Sequence, residues 1–272
     1  MIEIKKSLVE LIRPINCLMA ATAVIVSEVI SLGNLGNFYD VWAGGGVVFL
    51  VTAGGNVLND YFDYEIDAVV HRKRPLPSKK VLPYQARNLS FLLLVSGLLL
   101  SVTLNTLCFL MTGLNIILLV SYEKKLKDKG FIGNIVVSYL VASLFLFGGF
   151  VVESLERVVV LALLAFLVCL AREIQKDIED MEGDKKKRKT LAIQIGEKFS
   201  SVIAFFLLII ASALSFFPLV TGVFGWGYLS IIVPDFLFVS AGIISFRDIS
   251  LAQRMIKTGM LLSIGSFLIG GV

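Results

Sequence analysis

The chain has 272 residues, of which 57% are hydrophobic and only 17% are charged, and its formal net charge at pH 7 is +4. Soluble domains usually carry about 25% charged residues, so this composition argues against an ordinary soluble protein. Long apolar runs recur along the whole sequence, which is typical of a protein built from transmembrane helices.

The apolar runs predict an all-α integral membrane protein with about nine transmembrane helices. The polar residues Thr103, Asn105 and Thr106 separate the third helix from the fourth. No separate domain or linker is visible, so we expect a single transmembrane domain over residues 1–272. The predicted helices lie near residues 14–33, 38–60, 87–104, 106–122, 131–152, 157–180, 199–219, 226–246 and 254–271.

The basic residues predict how these helices are oriented. All but one of the 25 lysines and arginines, Arg157, fall in five segments of the sequence. Nine helices place all five segments on the same side of the membrane, and the positive-inside rule assigns that side to the cytoplasm. We therefore expect a protein of the cell membrane whose N-terminus is cytoplasmic and whose C-terminus lies outside.

The first two predicted helices contain polar residues that need an explanation in a membrane. Arg13 stands at the start of the first helix, where an arginine can anchor the chain at the membrane surface. Asn16 follows it, and this amide either faces an interior polar site or plays a structural role, because amides in membrane helices need partners. Asn56 lies one helical turn before Asp60 and on the same face, so we assign it to the site described next.

Residues 59–77, which read NDYFDYEIDAVVHRKRPLP, carry the clearest chemical signal in the first half of the chain. Asp60, Asp63 and Asp67 are three and four residues apart, so on an α-helix they project from one stripe. Crowded carboxylates repel one another unless a cation lies among them, and Mg²⁺ typically binds through a few carboxylates and substrate phosphates. Asn59 is placed to ligate the metal or to orient its ligands. The stretch predicts a metal and phosphate site.

Two basic loops follow on the predicted cytoplasmic side. We expect Arg72 or Arg74 to bind phosphate oxygens, because a guanidinium can do so with two parallel hydrogen bonds. The second loop carries Tyr122 beside Lys124 and Lys125. One of these lysines is a candidate for reaching a phosphate, and Tyr122 belongs either to the site or to the interfacial aromatic belt. Positive charges in both loops are also what the membrane topology alone requires.

A second acidic motif ends the sixth predicted helix. Asp177, Asp180 and Asp184 repeat the spacing of the first motif and are also followed by a basic segment. One acidic stripe at a helix end is a weak signal, whereas two with the same spacing, topology and basic continuation reinforce each other. They predict two carboxylate stripes that face each other across one cavity.

These residues resemble the UbiA superfamily of intramembrane prenyltransferases. Residues 59–67 match its NDxxDxxxD motif, and DIEDMEGD at 177–184 fits its second aspartate-rich motif. The longer form REIQKDIEDMEGD and the opening RPIN at 13–16 look closest to the archaeal branch that makes digeranylgeranylglyceryl phosphate. One departure is HRK at 71–73, where many relatives carry an Asn-Arg-Pro type sequence.

The resemblance implies a nine-helix bundle around a central cavity, in which both motifs bind Mg²⁺ and a prenyl diphosphate. In the archaeal branch, geranylgeranyl diphosphate would donate its prenyl group to the hydroxyl of geranylgeranylglyceryl phosphate. The apolar tails of both substrates would lie in the bundle and open to the lipid bilayer, and we expect no nucleic-acid partner. The phosphate of the acceptor needs basic partners, for which Lys124, Lys125, Lys185 and Arg188 are available.

Two other functions remain open at this point. Within the same superfamily, the acceptor would be an aromatic ring in quinone, haem or chlorophyll synthesis. In a different class, a cation-coupled transporter also uses intramembrane carboxylates. Transport predicts acids near the middle of the bilayer, whereas both acidic motifs here lie at the predicted cytoplasmic ends of their helices.

Overall fold

The computed structural model of the chain describes residues 2–34, 36–181 and 190–271, and over these ranges all regular structure is helical. Eight helical segments in the described part are long and apolar enough to cross a membrane. A further helix of 23 residues, Ile249–Gly271, carries Arg254 and Lys257 and brings the architecture to the roughly nine helices that the sequence predicts. The eight segments are Pro14–Leu32, Phe38–Phe62, Pro83–Val102, Thr106–Lys129, Phe131–Val151, Val158–Glu179, Glu197–Val220 and Trp226–Ile244.

The chain divides into two compact units, of which the first comprises Met1–Ile25 and Asn37–Lys124. A small core around Leu11, Val57 and Leu76 lies within this unit. Close packing between its second and third long helices depends on Gly54, because a Cβ atom there would lie 2.7 Å from Leu94 Cγ. The helices that contribute to this unit are α1 (Ile2–Ile12), the first part of α2 (Pro14–Leu32), α3 (Phe38–Phe62), α4 (Tyr64–Val70), α5 (Pro83–Val102) and α6 (Thr106–Ser121).

A break at Arg13 separates α1 from α2. Arg13 has a φ of 54°, a left-handed conformation that L-residues other than glycine seldom adopt. Pro14 then begins α2, at a position where its missing N–H has no helical partner to lose. The side chain of Asn56 donates a hydrogen bond of 2.8 Å to the carbonyl of Ile12. It thereby supplies a hydrogen-bond donor to a backbone carbonyl at the break. The sequence analysis predicts α2 and not α1.

The predicted separation of the third and fourth membrane helices is confirmed. Helix α5 ends at Val102, and the Thr103 hydroxyl donates to the carbonyl of Leu100 at 2.8 Å. The side chain of Asn105 accepts a hydrogen bond of 2.9 Å from the N–H of Cys108 and so caps α6. An N-terminal Asn cap of this kind satisfies one of the donors that the first turn of a helix leaves without a partner.

The second compact unit comprises Val26–Gly36 and Lys125–Val272. Its apolar side chains form two core clusters, one around Ile174, Leu208 and Ile256 and one around Ile30 and Leu161. Besides the end of α2, its helices are α7 (Phe131–Val151), α8 (Val158–Glu179), α9 (Leu191–Ile195), α10 (Glu197–Leu214), α11 (Phe217–Val220), α12 (Ile232–Ile244) and α13 (Ile249–Gly271).

Arg157, the one basic residue outside the five segments, binds the carbonyl ends of two helices. Its Nη1 donates to the carbonyl of Ile30 near the end of α2 at 3.4 Å and to that of Gly271 at the end of α13 at 3.1 Å. Helix C-termini carry partial negative charge, which a cation stabilises. A structural role therefore accounts for the position of Arg157.

Candidate active site

Two arginines neutralise two buried aspartates of the first acidic motif. Asp60 in the last turn of α3 is 5% exposed and forms an ion pair with Arg13. Asp67 in α4 is 4% exposed and pairs with Arg74 at 2.6 Å, and the same Arg74 nitrogen lies 3.9 Å from Asp60 Oδ1. Burial of a carboxylate is costly unless the charge is paired. These ion pairs therefore allow both aspartates to be buried side by side.

The three aspartates do not lie on one continuous helix, because α3 ends just before Asp63 and α4 begins just after it. The backbone hydrogen bonds nevertheless continue across the break. The Asp63 N–H bonds the carbonyl of Asn59 at 2.9 Å, and the Asp67 N–H bonds the carbonyl of Asp63 at 2.8 Å. The spacing of three and four residues thus still brings Asp60 and Asp67 to the same arginine, Arg74.

Asn59 connects the first motif to a carboxylate that the sequence analysis did not single out. Its Nδ2 lies 3.1 Å from Asp63 Oδ2 and 3.0 Å from Glu123 Oε2. Glu123 is 8% exposed and belongs to a π-helical turn, Tyr122–Leu126, that directly follows α6. In the sequence, Glu123 is a single acid at the start of a lysine-rich loop. Such a residue is indistinguishable from an ordinary charged side chain on a loop surface.

Arg13 is the second residue of the site whose role the sequence analysis missed. We expected it to act as an anchor at the membrane surface, and the structure turns it toward Asp60 instead. Asn16, three residues after Arg13, is exposed. Asn56 donates to the carbonyl of Ile12 and approaches Cys17 Sγ at 3.6 Å, so it contacts the chain on either side of Arg13.

The predicted basic residues of the two loops divide into an inward and an outward group. Arg74 is half-buried and contacts the aspartates, whereas Arg72, Lys124 and Lys125 are exposed. Tyr122 is half-buried. Arg72 and Arg74 also share an open cleft of about 440 Å³, so Arg74 belongs to both features. The cleft is lined by Glu10, Val69, His71, Arg72, Lys73 and Arg74.

In the second unit, Asp177 lies in the last turn of α8 and accepts a hydrogen bond of 2.8 Å from Asn134 Nδ2. Asn134 lies on α7 and is 7% exposed. Asp180 is the residue that caps the C-terminus of α8, and it is exposed. The other predicted residues of this motif and its basic segment, Asp184, Lys185 and Arg188, lie outside the described residues.

The donor atoms of the first motif suit magnesium. Over the described ranges, no three Asp, Glu, His or Cys side chains converge as a ready-made metal cluster. Mg²⁺ takes carboxylate and amide oxygens, which Asp60, Asp63, Asp67 and Asn59 can supply. The ion pairs use Oδ1 of Asp60 and Oδ2 of Asp67, so the second oxygen of each carboxylate takes no part in them. A cation bound here would take over charge neutralisation from the arginines.

Replacing Arg74 by glutamine should make the stability of the protein more dependent on magnesium. Exposed ion pairs contribute about 0.2–1 kcal/mol, whereas breaking a buried pair costs about 3–5 kcal/mol. The Arg74 side chain is 37% exposed but its partner carboxylates are buried, so we expect a loss of about 2 kcal/mol without magnesium. In thermal unfolding in detergent, added Mg²⁺ should raise the midpoint of Arg74→Gln more than that of the wild type.

The matched control is Lys73→Gln, since Lys73 is exposed and lines the same cleft. We expect this substitution to leave both the midpoint and its response to magnesium near the wild-type values. An equal response of Arg74→Gln and the wild type to Mg²⁺ would contradict the interpretation that arginine and metal neutralise the same carboxylates.

Comparison with known proteins identifies the family. The UbiA prenyltransferase family matches residues 18–264 of the chain. The digeranylgeranylglyceryl phosphate synthase of Methanopyrus kandleri is 42% identical over 270 residues, which cover 97% of this chain and 98% of that protein. The resemblance that the two aspartate motifs indicated is thereby confirmed.

Solved structures agree with this assignment. A solved structure of a digeranylgeranylglyceryl phosphate synthase has a TM-score of 0.89 at 37% identity and covers 99% of both chains. A UbiA homologue from Archaeoglobus fulgidus bound to GPP and Mg²⁺ has a TM-score of 0.72 and covers 96% of this chain and 98% of that one. At 16% identity, the second likeness shows the fold alone. With its apolar helices, this chain is a multi-pass membrane protein, and it belongs to the UbiA prenyltransferase family.

Proposed function

We propose that the protein transfers a geranylgeranyl group from geranylgeranyl diphosphate to the hydroxyl of geranylgeranylglyceryl phosphate. The products are digeranylgeranylglyceryl phosphate and diphosphate, a step of archaeal ether-lipid synthesis. The observation that carries this proposal is the 42% identity, over nearly the full length of both chains, to a relative named for this product. The buried aspartates of the first motif, with arginines beside them, supply the polar groups that such chemistry needs.

The reaction breaks the allylic C–O bond of the donor and forms a new C–O bond to the acceptor hydroxyl, whose proton passes to a carboxylate of the site or to the departing diphosphate. Negative charge grows on the departing diphosphate, and a bound magnesium ion neutralises such charge. The UbiA homologue solved with GPP and Mg²⁺ supports the use of this divalent metal. The residues that we propose to hold magnesium are Asp60, Asp63, Asp67, Asp177, Asp180 and Asp184.

Basic side chains would bind the phosphate groups of the two substrates. Arg74 lies on the aspartates and also lines the open cleft with Arg72 and Lys73, so it can move from a carboxylate to a phosphate over a short distance. Arg72 is exposed in that cleft and is suited to a bidentate contact with phosphate oxygens. Lys124 and Lys125 are exposed and are further candidates for the acceptor phosphate, as are Lys185 and Arg188 from the sequence.

The orientation in the membrane is part of the proposal. By the positive-inside rule, the five basic segments favour a cytoplasmic position for the N-terminus and both acidic motifs, with the C-terminus outside. Arg157 does not weaken this assignment, because its guanidinium is engaged with two helix ends. The substrate tails would extend into the helical region, where apolar surroundings suit them.

An assay with a panel of acceptors tests the proposed function. Purified protein is supplied with geranylgeranyl diphosphate and, in separate reactions, geranylgeranylglyceryl phosphate or a hydroxylated aromatic acid, each with Mg²⁺ or with a chelator. We expect prenylated product with the glyceryl phosphate lipid alone, and we expect the chelator to abolish it, because the leaving diphosphate is then no longer neutralised.

Two other outcomes would replace the proposal. Product with the aromatic acid and none with the lipid would indicate the aromatic branch of the family. No product with any acceptor, together with cation flux into vesicles that contain the protein, would indicate a cation-coupled transporter.

A further inference from the structure

The amide of Asn59 has two N–H donors, and both are directed at carboxylates. The nitrogen that carries both, Asn59 Nδ2, lies 3.1 Å from Asp63 Oδ2 and 3.0 Å from Glu123 Oε2. An ionised carboxylate accepts hydrogen bonds and cannot donate them. The two acids therefore fix which end of the amide is nitrogen, and the carbonyl oxygen Oδ1 points away from both of them.

The position of Glu123 is electrostatically unfavourable by itself. It is 8% exposed and follows the C-terminus of α6, where the helix dipole already places partial negative charge. Burial of an acid at that end costs free energy unless other groups compensate it. Departures of this kind from local preference tend to mark functional sites in proteins.

The backbone around Glu123 directs it inward. The turn Tyr122–Leu126 is π-helical, a conformation that occurs frequently at functional sites. Within this turn Glu123 is buried while the next two residues, Lys124 and Lys125, are exposed. The local geometry thus buries the acid and places it against Asn59.

We propose that Glu123 is a positioning residue for the magnesium site, which holds the Asn59 amide so that Oδ1 faces the ion. The inference rests on the proposed function, since it requires the first motif to bind Mg²⁺. Without the hydrogen-bond acceptor on Glu123, the amide can rotate by half a turn and present its N–H groups to a cation, which repels it. Partners of metal ligands act in this way in many metal sites, by orienting the ligand.

The test compares Glu123→Leu with Glu123→Gln in the full-length protein in detergent, without substrates. Leucine removes the acceptor, whereas glutamine keeps an amide oxygen that can accept from Asn59 Nδ2. Metal binding is measured by titration with Mg²⁺ in a calorimeter and with Mn²⁺ by electron paramagnetic resonance. We expect the leucine variant to raise the metal dissociation constant about 10- to 100-fold and the glutamine variant to remain near the wild type.

A matched control and a compensating pair complete the design. Glu65 is an exposed acid in the same motif, so Glu65→Leu should leave metal binding unchanged. Asn59→Asp removes the donors and sets an acid against Glu123, so it should weaken metal binding. Adding Glu123→Gln to Asn59→Asp supplies an N–H donor again, now from position 123, and should restore part of the metal binding. This double variant tests the contact between positions 59 and 123 even if Glu123→Leu does not fold.

Three results would overturn the inference. The first is equal metal binding by folded Glu123→Leu and the wild type. The second is an equal loss in Glu123→Leu and Glu123→Gln, since the charge and not the hydrogen bond would then be responsible. The third is no recovery in the double variant. A wild type that binds no Mg²⁺ would instead count against the proposed function itself, so the two failures are distinguishable.

Discussion

Replacing Asp60 by asparagine should lower kcat for geranylgeranyl transfer by at least about 100-fold, the size of effect seen when one preorganised electrostatic group is removed from an active site. Asp60 lies at the end of α3, is 5% exposed and pairs with Arg13, so its charge acts in a site with little access to water. Asparagine keeps the size of the side chain and an oxygen for Arg13 but removes one negative charge from the proposed metal site. Product formation at saturating substrates and Mg²⁺ measures the effect.

The control for Asp60→Asn is Glu65→Gln, which removes a negative charge from an exposed position five residues away. We expect this variant to retain nearly full activity. The unfolding midpoint of both variants shows whether a loss of transfer reflects chemistry or misfolding. A folded Asp60→Asn protein with full activity would remove the first motif from the proposed magnesium site.

Features that depend on neighbouring residues could be predicted from the sequence. The apolar runs have the length that a bilayer requires, and they gave the helices and the fold class. The break before α6 follows from Asn105, which caps the helix with its own side chain. The spacing of the aspartates brings Asp60 and Asp67 to one arginine because helical hydrogen bonds continue through Asp63.

Contacts between distant residues could not be predicted in the same way. Arg13 and Asp60 are 47 residues apart, and Asn59 and Glu123 are 64 residues apart. In the sequence, Arg13 and Glu123 stand among charges that the membrane topology explains equally well. Only the packing of the first unit shows that these two side chains are directed inward.

Helix α1 was missed for a different reason. It has 11 residues, which is shorter than the roughly 20 that span a bilayer, so a search for long apolar runs passes over it. Its end is set by the left-handed backbone at Arg13, which a sequence pattern does not reveal. Because of this backbone conformation, Arg13 belongs to neither α1 nor α2. Its side chain forms the ion pair with Asp60.

Asp177→Asn should also lower kcat by about 100-fold or more and should raise the Mg²⁺ concentration needed for half-maximal activity. Asp177 accepts a hydrogen bond of 2.8 Å from Asn134 in the second unit. An asparagine at this position can keep that hydrogen bond through its own carbonyl oxygen, so α7 and α8 stay joined while the charge is lost. Transfer is measured over a range of Mg²⁺ concentrations, with the unfolding midpoint as the check on folding.

The neighbouring acid Glu179 separates two explanations of that loss. It lies in the same last turn of α8, but its Oε2 accepts a hydrogen bond from Gln253 at 2.5 Å. Glu179→Gln removes the same charge from the same helix end and should leave transfer close to the wild type. If Asp177→Asn and Glu179→Gln lost activity equally, general negative charge near the helix C-terminus would suffice. If only Asp177→Asn lost activity, a carboxylate would be needed at that one position, as expected for a metal ligand.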